Sequence, residues 1–251
     1  MIKAVLFDKD DTLIDLKAFW KRPVERTACR IAAVYGGSRA GTDQKALQAE
    51  LEEAAGFRGG ILLPESPVVA GTNRDVAAAW IEILVRNGLL AEDETEKAEE
   101  AFARELSEAC VRCGRVKGKT DLLQLLGRLA RDGIRLGVVT SDNLQPTVHC
   151  LDALQITGLF DLVLAGDCGL PPKPSPDLTW SFCRSCHVRP DQTLMVGDSA
   201  NDMLFAKKSG LVGVWFREHP VEGEVPPPGT DYVIRDLNQL LKIIASKGAA
   251  A

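Results

Sequence analysis

The chain has 251 residues, 45% hydrophobic and 26% charged, so it can bury one large core or a core with a subdomain. Its formal net charge of −5 offers no basic surface of the kind that binds nucleic acid. No apolar run approaches the roughly 18 residues of a membrane-spanning helix, and an acidic residue at position 8 is unlike a secretory signal. We therefore expect a cytoplasmic, soluble protein without nucleic-acid or membrane partners.

Three short apolar runs each end at a residue with a reactive side chain. The runs at 4–7, 136–139 and 194–197 are followed by Asp8, Thr140 and Asp198. Apolar runs of this length, separated by helical stretches, predict buried parallel strands. In an open α/β sheet the ligand lies beyond the carboxyl ends of the strands, near the point where strand order reverses. We therefore expect these three side chains to converge on one site.

The segment between the first two runs has a helical pattern. Apolar residues at helical spacing predict helices over about 16–37, 43–55, 72–88 and 93–113. A loop rich in Gly and Pro runs from Gly56 through Pro64 to Pro67. The block 16–116 is thus predicted to form an all-helical domain inserted into a core made of 1–15 and 117–251.

From residue 117 helices and strands alternate. Helices are predicted at about 120–132, 146–154, 176–187, 201–209 and 236–246, and strands at 136–139, 162–164, 194–197, 212–215 and 232–234. This alternation is typical of an α/β fold with a doubly wound parallel sheet. The last residues, 248–251, are expected to fray.

Four motifs lie at the predicted strand ends or on the loops that follow them. They are DKDDT at 8–12, Thr140, Lys173 within KPSP, and GDSAND at 197–202. In this order they resemble the motifs of the haloacid dehalogenase superfamily, and within it the phosphoglycolate phosphatase-like subgroup with a helical cap. The resemblance implies a Rossmann-like core, a cap inserted at 16–116, and phosphatase activity as the commonest function.

The resemblance also implies a role for each motif residue. Asp8 would be the nucleophile that forms an aspartyl-phosphate, and Asp10 would protonate the leaving group and then deprotonate the attacking water. Mg²⁺ would be bound by Asp8, Asp198 and the carbonyl oxygen of Asp10. Asp202 would be either a further metal ligand or the group that orients Lys173.

The remaining candidate residues would bind the substrate. The hydroxyl of Thr140, Ser141 beside it, and the ammonium of Lys173 would contact phosphoryl oxygens. On the loop of the inserted block, Arg58 is the candidate reader of the leaving group, and the alternative is an exposed Arg on a solvated turn. A helical lid leaves little room for a polymer, so we expect a small phosphorylated metabolite as the substrate.

Two positions depart from the commoner family pattern. Asp11 stands where most relatives have Gly. If the backbone there requires a positive φ, Asp adopts that conformation at a lower cost than most residues. Its carboxylate adds negative charge beside the nucleophile, which puts Mg²⁺ affinity or the loop geometry in question. Ser141 stands where many relatives have Asn. Neither change removes a catalytic group.

Other interpretations of the same residues remain. Any one of these Asp residues could be a solvated acid in a loop, since Asp is common in turns after strands. Several unpaired acids at one sheet edge, however, repel one another unless a cation binds. Dehalogenase and phosphonatase relatives lack the second Asp of the first motif, so Asp10 argues against both. A phosphosugar mutase and a weakly catalytic regulatory or binding protein stay open. The substrate and the oligomeric state are not identified by the sequence.

The chain has seven cysteines, including the two pairs Cys110/Cys113 and Cys183/Cys186. Both pairs fall in helical patterns, where residues three apart share a face and a buried Cys behaves as a small hydrophobe. We therefore expect free thiols that pack, in preference to a zinc site or a redox pair.

Overall fold

The computed structural model describes residues 1–37, 41–63 and 66–248. The chain forms two compact units, one made of Met1–Asp15 with Val116–Ala251 and the other of Leu16–Arg115. Pro64 of the predicted loop and residues 249–251 of the predicted frayed tail lie outside the described residues. The functions of the two units as catalytic core and cap remain predictions.

A six-stranded parallel sheet forms the centre of the first unit. Its strands are β1 (Ala4–Phe7), β2 (Arg135–Val139), β3 (Leu162–Leu164), β4 (Thr193–Gly197), β5 (Val212–Phe216) and β6 (Tyr232–Ile234), in the order β3-β2-β1-β4-β5-β6. All residues of β1 and β4 are buried, as expected for the central strands of a parallel sheet covered on both faces.

The strand register brings the carboxyl ends of the three central strands level. Phe7 on β1 pairs with Val138 on β2 and with Val196 on β4. From β1 the chain passes outward to β2 and β3, and then returns to β4 on the opposite side of β1. Strand order therefore reverses beside β1, which places a ligand crevice beyond the end of that strand.

Helices connect these strands or follow the last of them, close to the predicted positions. They are Leu122–Arg131, Leu144–Ala153, Asp177–Cys186, Ala200–Ser209 and Leu240–Gly248. The last begins later than predicted because a short 3-10 turn, Leu237–Gln239, precedes it. Phe182 and Phe205 from two of the helices pack in one cluster with Leu6 and Met195 of the sheet. None of the described helices has the length and apolar character needed to cross a bilayer.

The second unit is helical, with a core of its own. Its helices are Leu16–Gly37, Gln44–Ala55, Pro67–Ala70, Asn73–Arg86 and Thr95–Cys113. Trp80 is fully buried, its indole N–H donates to the carbonyl oxygen of Leu51 over 2.8 Å, and its ring meets that of Phe102 edge to face. The helical character predicted for this segment is therefore found.

A short antiparallel hairpin was not predicted. The strands Phe57–Arg58 and Ile61–Leu62 pair across Gly59 and Gly60, whose φ values are 56° and 78°. Two central residues with positive φ form the type I′ turn that joins antiparallel strands, and Gly-Gly is one of its sequence signals. Strands of two residues are too short to give an alternating pattern, so the sequence predicts only a loop here.

Both Cys-x-x-Cys pairs lie within helices, and all seven cysteines are free thiols. Cys183 and Cys186 belong to a hydrophobic core cluster of the first unit. In the second unit Cys110 is buried, and the thiol of Cys113 donates to the carbonyl oxygen of Ala109 over 3.1 Å. These cysteines therefore pack as small side chains, as predicted.

Candidate active site

The loop that follows β1 carries the first motif. The backbone N–H of Asp8 donates to the Val196 carbonyl oxygen over 2.8 Å, which extends the sheet pairing by one residue. The loop then turns back, because the N–H of Ile14 donates to the carbonyl oxygen of Lys9. Asp11 has a φ of 54°, the left-handed conformation that Gly at this position of the family pattern adopts without strain.

Lys173 reaches the end of β1 from a proline-rich loop. Its ammonium donates to Asp8 Oδ1 over 2.6 Å and to Asp202 Oδ1 over 2.7 Å, and only 4% of the side chain is exposed. Burial alone would lower the pKa of Lys173, but the carboxylates of Asp202 and Asp8 hold that pKa above its ordinary value. Lys173 therefore stays charged and fixes the position of the Asp8 carboxylate.

Three carboxylates meet beside this lysine. One oxygen from each of Asp8, Asp198 and Asp202 lies within 4.8 Å of the other two. Burial raises the pKa of Asp8 to about 7, against the opposing charge of Lys173. Burial and the neighbouring Asp8 also raise the pKa of Asp198 well above its ordinary value. Carboxylates this close repel one another, and their hard oxygen atoms are the donors that Mg²⁺ prefers.

Asp202 is held in place because both of its oxygens accept hydrogen bonds. Oδ1 accepts from Lys173, and Oδ2 accepts from the N–H and the hydroxyl of Ser199 at 3.1 and 2.6 Å. These two residues form a capping box at the start of the helix Ala200–Ser209. Gly197 makes the arrangement possible, since a Cβ there would overlap the Asp202 side chain. This geometry favours the second family role for Asp202, the orientation of Lys173.

Thr140 and Ser141 follow β2. Thr140 is buried, its N–H donates to the Leu164 carbonyl oxygen over 3.0 Å, and its hydroxyl oxygen accepts from the N–H of Asp142 over 3.1 Å. Ser141 is exposed. Gly166 allows the next loop to pass close by, since a Cβ there would overlap the carbonyl oxygen of Ser141. Thr140 therefore has a fixed position at the edge of the sheet, and Ser141 is accessible to solvent.

Asp10 is bound by a lysine that no sequence motif indicates. The side chain of Lys9 is fully buried, and its ammonium lies 2.8 Å from Asp10 Oδ1 and 2.9 Å from Asp142 Oδ2. Burial alone would lower the pKa of Lys9, but Asp10 and Asp142 raise it above its ordinary value. Burial also raises the pKa of Asp10, against the opposing charge of Lys9. The sequence did not indicate this contact, because a lysine in a loop is ordinarily solvated.

Asp11 also has a lysine partner, and this bears on the extra negative charge. The ammonium of Lys119 lies 2.9 Å from Asp11 Oδ1 and 3.1 Å from Glu218 Oε2, with 12% of the lysine side chain exposed. Burial alone would lower the pKa of Lys119, but its bonds to Asp11 and Glu218 raise it. The carboxylate at the unusual position is therefore compensated locally.

Asp198 is positioned through its backbone as well as its side chain. The indole N–H of Trp215 donates to the Asp198 carbonyl oxygen over 2.8 Å, and the Thr12 hydroxyl donates to Asp198 Oδ1 over 3.4 Å. The guanidinium carbon of Arg217 lies 5.2 Å from the centre of the Trp215 ring. Trp215 is a supporting residue that the sequence did not indicate, because a Trp at the end of an apolar strand is ordinary core composition.

Arg58 belongs to the second unit, on the first strand of the hairpin. Its guanidinium lies 2.6 Å from Glu53 Oε1, and 66% of its side chain is exposed. The hydrogen bond with Glu53 raises the pKa of Arg58. Arg58 thus has an acidic partner in its own unit, and its role in reading the leaving group remains a prediction.

The haloacid dehalogenase-like hydrolase model matches residues 2–210 of this chain. That range is most of the sequence and includes Asp8, Thr140, Lys173, Asp198 and Asp202. The chain belongs to this family.

Curated relatives are consistent with the family, and solved structures are consistent with the fold. The phosphoglycolate phosphatase of Escherichia coli K12 is 33% identical over 117 residues, 46% of this chain and 46% of that enzyme. The chain thus spans about half the length of the curated relatives it matches. A predicted phosphoglycolate phosphatase from Haemophilus somnus has a TM-score of 0.67 at 21% identity, covering 96% of this chain and 97% of its own. CbbY from Rhodobacter sphaeroides, solved with phosphate, has a TM-score of 0.60 at 22% identity, covering 96% of each chain. The Rossmann-like fold class is confirmed.

Proposed function

We propose that this protein is a Mg²⁺-dependent phosphatase that hydrolyses a small phosphorylated metabolite. The observation that carries the proposal is the meeting of Asp8, Lys173, Asp198 and Asp202 at the carboxyl end of β1. Phosphoryl transfer requires an in-line nucleophile and compensation of the charge on the phosphoryl oxygens, and little other chemistry. This group of side chains offers both.

In the proposed reaction Asp8 attacks phosphorus and forms an aspartyl-phosphate. Lys173, 2.6 Å from Asp8 Oδ1, holds the nucleophile in place and adds positive charge beside the transferred group. Asp10 protonates the leaving oxygen, and in the second step takes a proton from the water that hydrolyses the intermediate. Thr140, fixed at the end of β2, donates its hydroxyl hydrogen to a phosphoryl oxygen, with Ser141 beside it.

The donor set fits a divalent cation. Carboxylate oxygens of Asp8 and Asp198 would hold Mg²⁺ together with the carbonyl oxygen of Asp10, and Asp202 would orient Lys173. When bound, the ion supplies the positive charge that lets an anionic nucleophile approach an anionic phosphate. The raised pKa values of Asp8 and Asp198 support this assignment, because they reflect buried negative charge that a cation would stabilise.

The substrate class is inferred from the relatives and from the second unit. The E. coli relative is named a phosphoglycolate phosphatase, which makes phosphorylated carboxylic acids the first substrates to examine. We propose that the unit Leu16–Arg115 acts as a cap that excludes water and selects the leaving group. Such a lid favours a small ester over a phosphoprotein or a nucleic acid.

Release of phosphate from p-nitrophenyl phosphate tests the proposal, with Mg²⁺ or with EDTA, and with Asp8→Asn as the control. Turnover that requires Mg²⁺ and Asp8 supports it, and a panel of phosphorylated metabolites then identifies the substrate. Transfer of phosphate between positions of a sugar without net release would instead indicate a mutase. Absence of turnover on every ester would contradict the proposal and favour a regulatory or binding protein.

A further inference from the structure

Lys9 occupies an unusual place for a lysine. In the sequence it stands between Asp8, the proposed nucleophile, and Asp10, the proposed acid, and its side chain has no exposed surface. A buried ammonium loses the hydration that stabilises it in water, so it persists only with charged partners at short distance. Asp10 Oδ1 at 2.8 Å and Asp142 Oδ2 at 2.9 Å are those partners.

These contacts join the loop after β1 to the loop after β2. Asp142 is itself fixed, because its N–H donates to the Thr140 hydroxyl oxygen over 3.1 Å and its Oδ1 accepts from the N–H of Asn143 over 2.8 Å. Lys9 is buried and cannot change position freely. Asp10, by contrast, has 27% of its side chain exposed, so its carboxylate could rotate toward solvent if nothing held it.

We propose that Lys9, anchored on Asp142, is a positioning residue that fixes the carboxylate of Asp10 for proton transfer. The inference rests on the proposed phosphatase function. Because Lys9 binds Oδ1, we assign the proton transfer to the other oxygen of Asp10, Oδ2. Without Lys9 the carboxylate would sample several rotamers, and only some would place Oδ2 at the leaving oxygen.

The proton transfers balance over the two steps. In the first, the oxygen of Asp8 bonds to phosphorus, the bond from phosphorus to the leaving oxygen breaks, and Asp10 Oδ2 gives its proton to that oxygen. In the second, Asp10 takes a proton from water as the water oxygen bonds to phosphorus. The bond between phosphorus and Asp8 then breaks, which releases phosphate and restores both carboxyl groups.

A second lysine of the same site serves as a matched control. Lys119 is largely buried and also bridges two carboxylates, but its partners are Asp11 and Glu218. Lys9→Met and Lys119→Met therefore remove the same charge from similar surroundings. Only the first removes the contact with Asp10.

The experiment compares kcat/KM for p-nitrophenyl phosphate and ethyl phosphate in the presence of Mg²⁺. The nitrophenolate leaves without much protonation, whereas the ethoxide needs a well-placed acid. We expect Lys9→Met to lower activity on ethyl phosphate by about tenfold more than on p-nitrophenyl phosphate, a fraction of the usual contribution of general acid catalysis. Lys119→Met should leave the ratio of the two activities unchanged.

The outcomes separate this inference from the proposed function. If the wild-type protein hydrolyses neither ester, both are overturned. If it hydrolyses both esters and Lys9→Met lowers the two activities equally, the proposed function stands and the role of Lys9 is overturned. If the ratio shifts equally in Lys119→Met, the effect is a general one of charge and the inference also fails.

Loss of folding in Lys9→Met would not leave the question open. Asp142→Asn keeps Lys9 and its contact with Asp10 but removes the second charge that holds the ammonium in place. Thermal melts identify which variants fold. A shift in the activity ratio of about threefold in the same direction supports the inference by the same general-acid argument, and an unchanged ratio in a folded Asp142→Asn overturns it.

Discussion

Replacing Asp8 with Asn should change activity and stability in opposite directions. The amide keeps the size of the side chain but cannot form an acyl-phosphate, so phosphate release should fall by at least about a thousandfold. Here the structure also predicts a gain in stability, which distinguishes a removed nucleophile from a misfolded protein.

The magnitude follows from the surroundings of Asp8. Burial raises its pKa from 3.8 to about 7 in the folded protein, net of the attraction of Lys173. A pKa difference of about three units corresponds to about 4 kcal/mol by which ionised Asp8 destabilises the metal-free fold. The cost is absent when Asp8 is protonated in both states, grows as pH rises from about 4 to about 7, and is constant above that. Asn never ionises and avoids it.

Thermal melts in EDTA at pH 5 and pH 8 measure this effect. At pH 8 the Asp8→Asn variant should be more stable than the wild type by up to about 4 kcal/mol, and at pH 5 the difference should be much smaller. Saturating Mg²⁺ should stabilise the wild type more than the variant, because the ion binds the ionised carboxylate. A variant less stable than the wild type at pH 8, or one that still releases phosphate at a near-normal rate, would refute the reasoning.

Three further substitutions test the roles proposed for other residues. Asp10→Asn should slow esters of alkyl alcohols more than aryl phosphates, since a good leaving group needs little protonation, and equal losses in steady-state kinetics would indicate a structural role. Asp198→Ala should raise the Mg²⁺ concentration needed for half-maximal phosphate release. Ca²⁺ should support activity poorly because its coordination shell is larger and more flexible than that of Mg²⁺. Full activity after chelation of divalent cations would contradict the metal assignment. Arg58→Ala should raise KM for the physiological ester and leave KM for p-nitrophenyl phosphate unchanged. The control Arg86→Ala removes a similarly exposed arginine, paired with Glu50, and should change neither KM. Equal responses of the two substrates to Arg58→Ala would exclude Arg58 as the reader of the leaving group.

The sheet could be predicted from the sequence because its information is local. Each central strand contains an apolar run that is followed by a polar residue. Asp8 and Asp198 lie at such ends, Asp10 lies in the loop just beyond β1, and Asp202 lies in the first turn of the helix after β4. The placement of Asp8 and Asp198 at one edge then follows from the rules of parallel sheets. The order of the motifs along the chain indicated the family resemblance.

The lysine partners could not be predicted in the same way. A lysine in a loop is ordinarily solvated, and whether it is buried depends on residues far away in the sequence. Lys9 meets Asp142 from a loop on another strand, and Lys119 meets Glu218 after a separation of 99 residues. The sequence pattern identified Asp11 as a problem of charge, and only the three-dimensional arrangement identified Lys119 as its compensation.

The charges around the site follow one scheme. Three lysines each bridge two carboxylates: Lys9 with Asp10 and Asp142, Lys119 with Asp11 and Glu218, and Lys173 with Asp8 and Asp202. Asp198 is a further acid of the candidate site, and within the described part of the chain none of these three lysines contacts it. Excess negative charge is therefore concentrated where Asp198 meets Asp8. The fixed lysines compensate the acids that they contact, and an exchangeable cation bound by Asp8 and Asp198 would compensate the charge that these lysines do not offset.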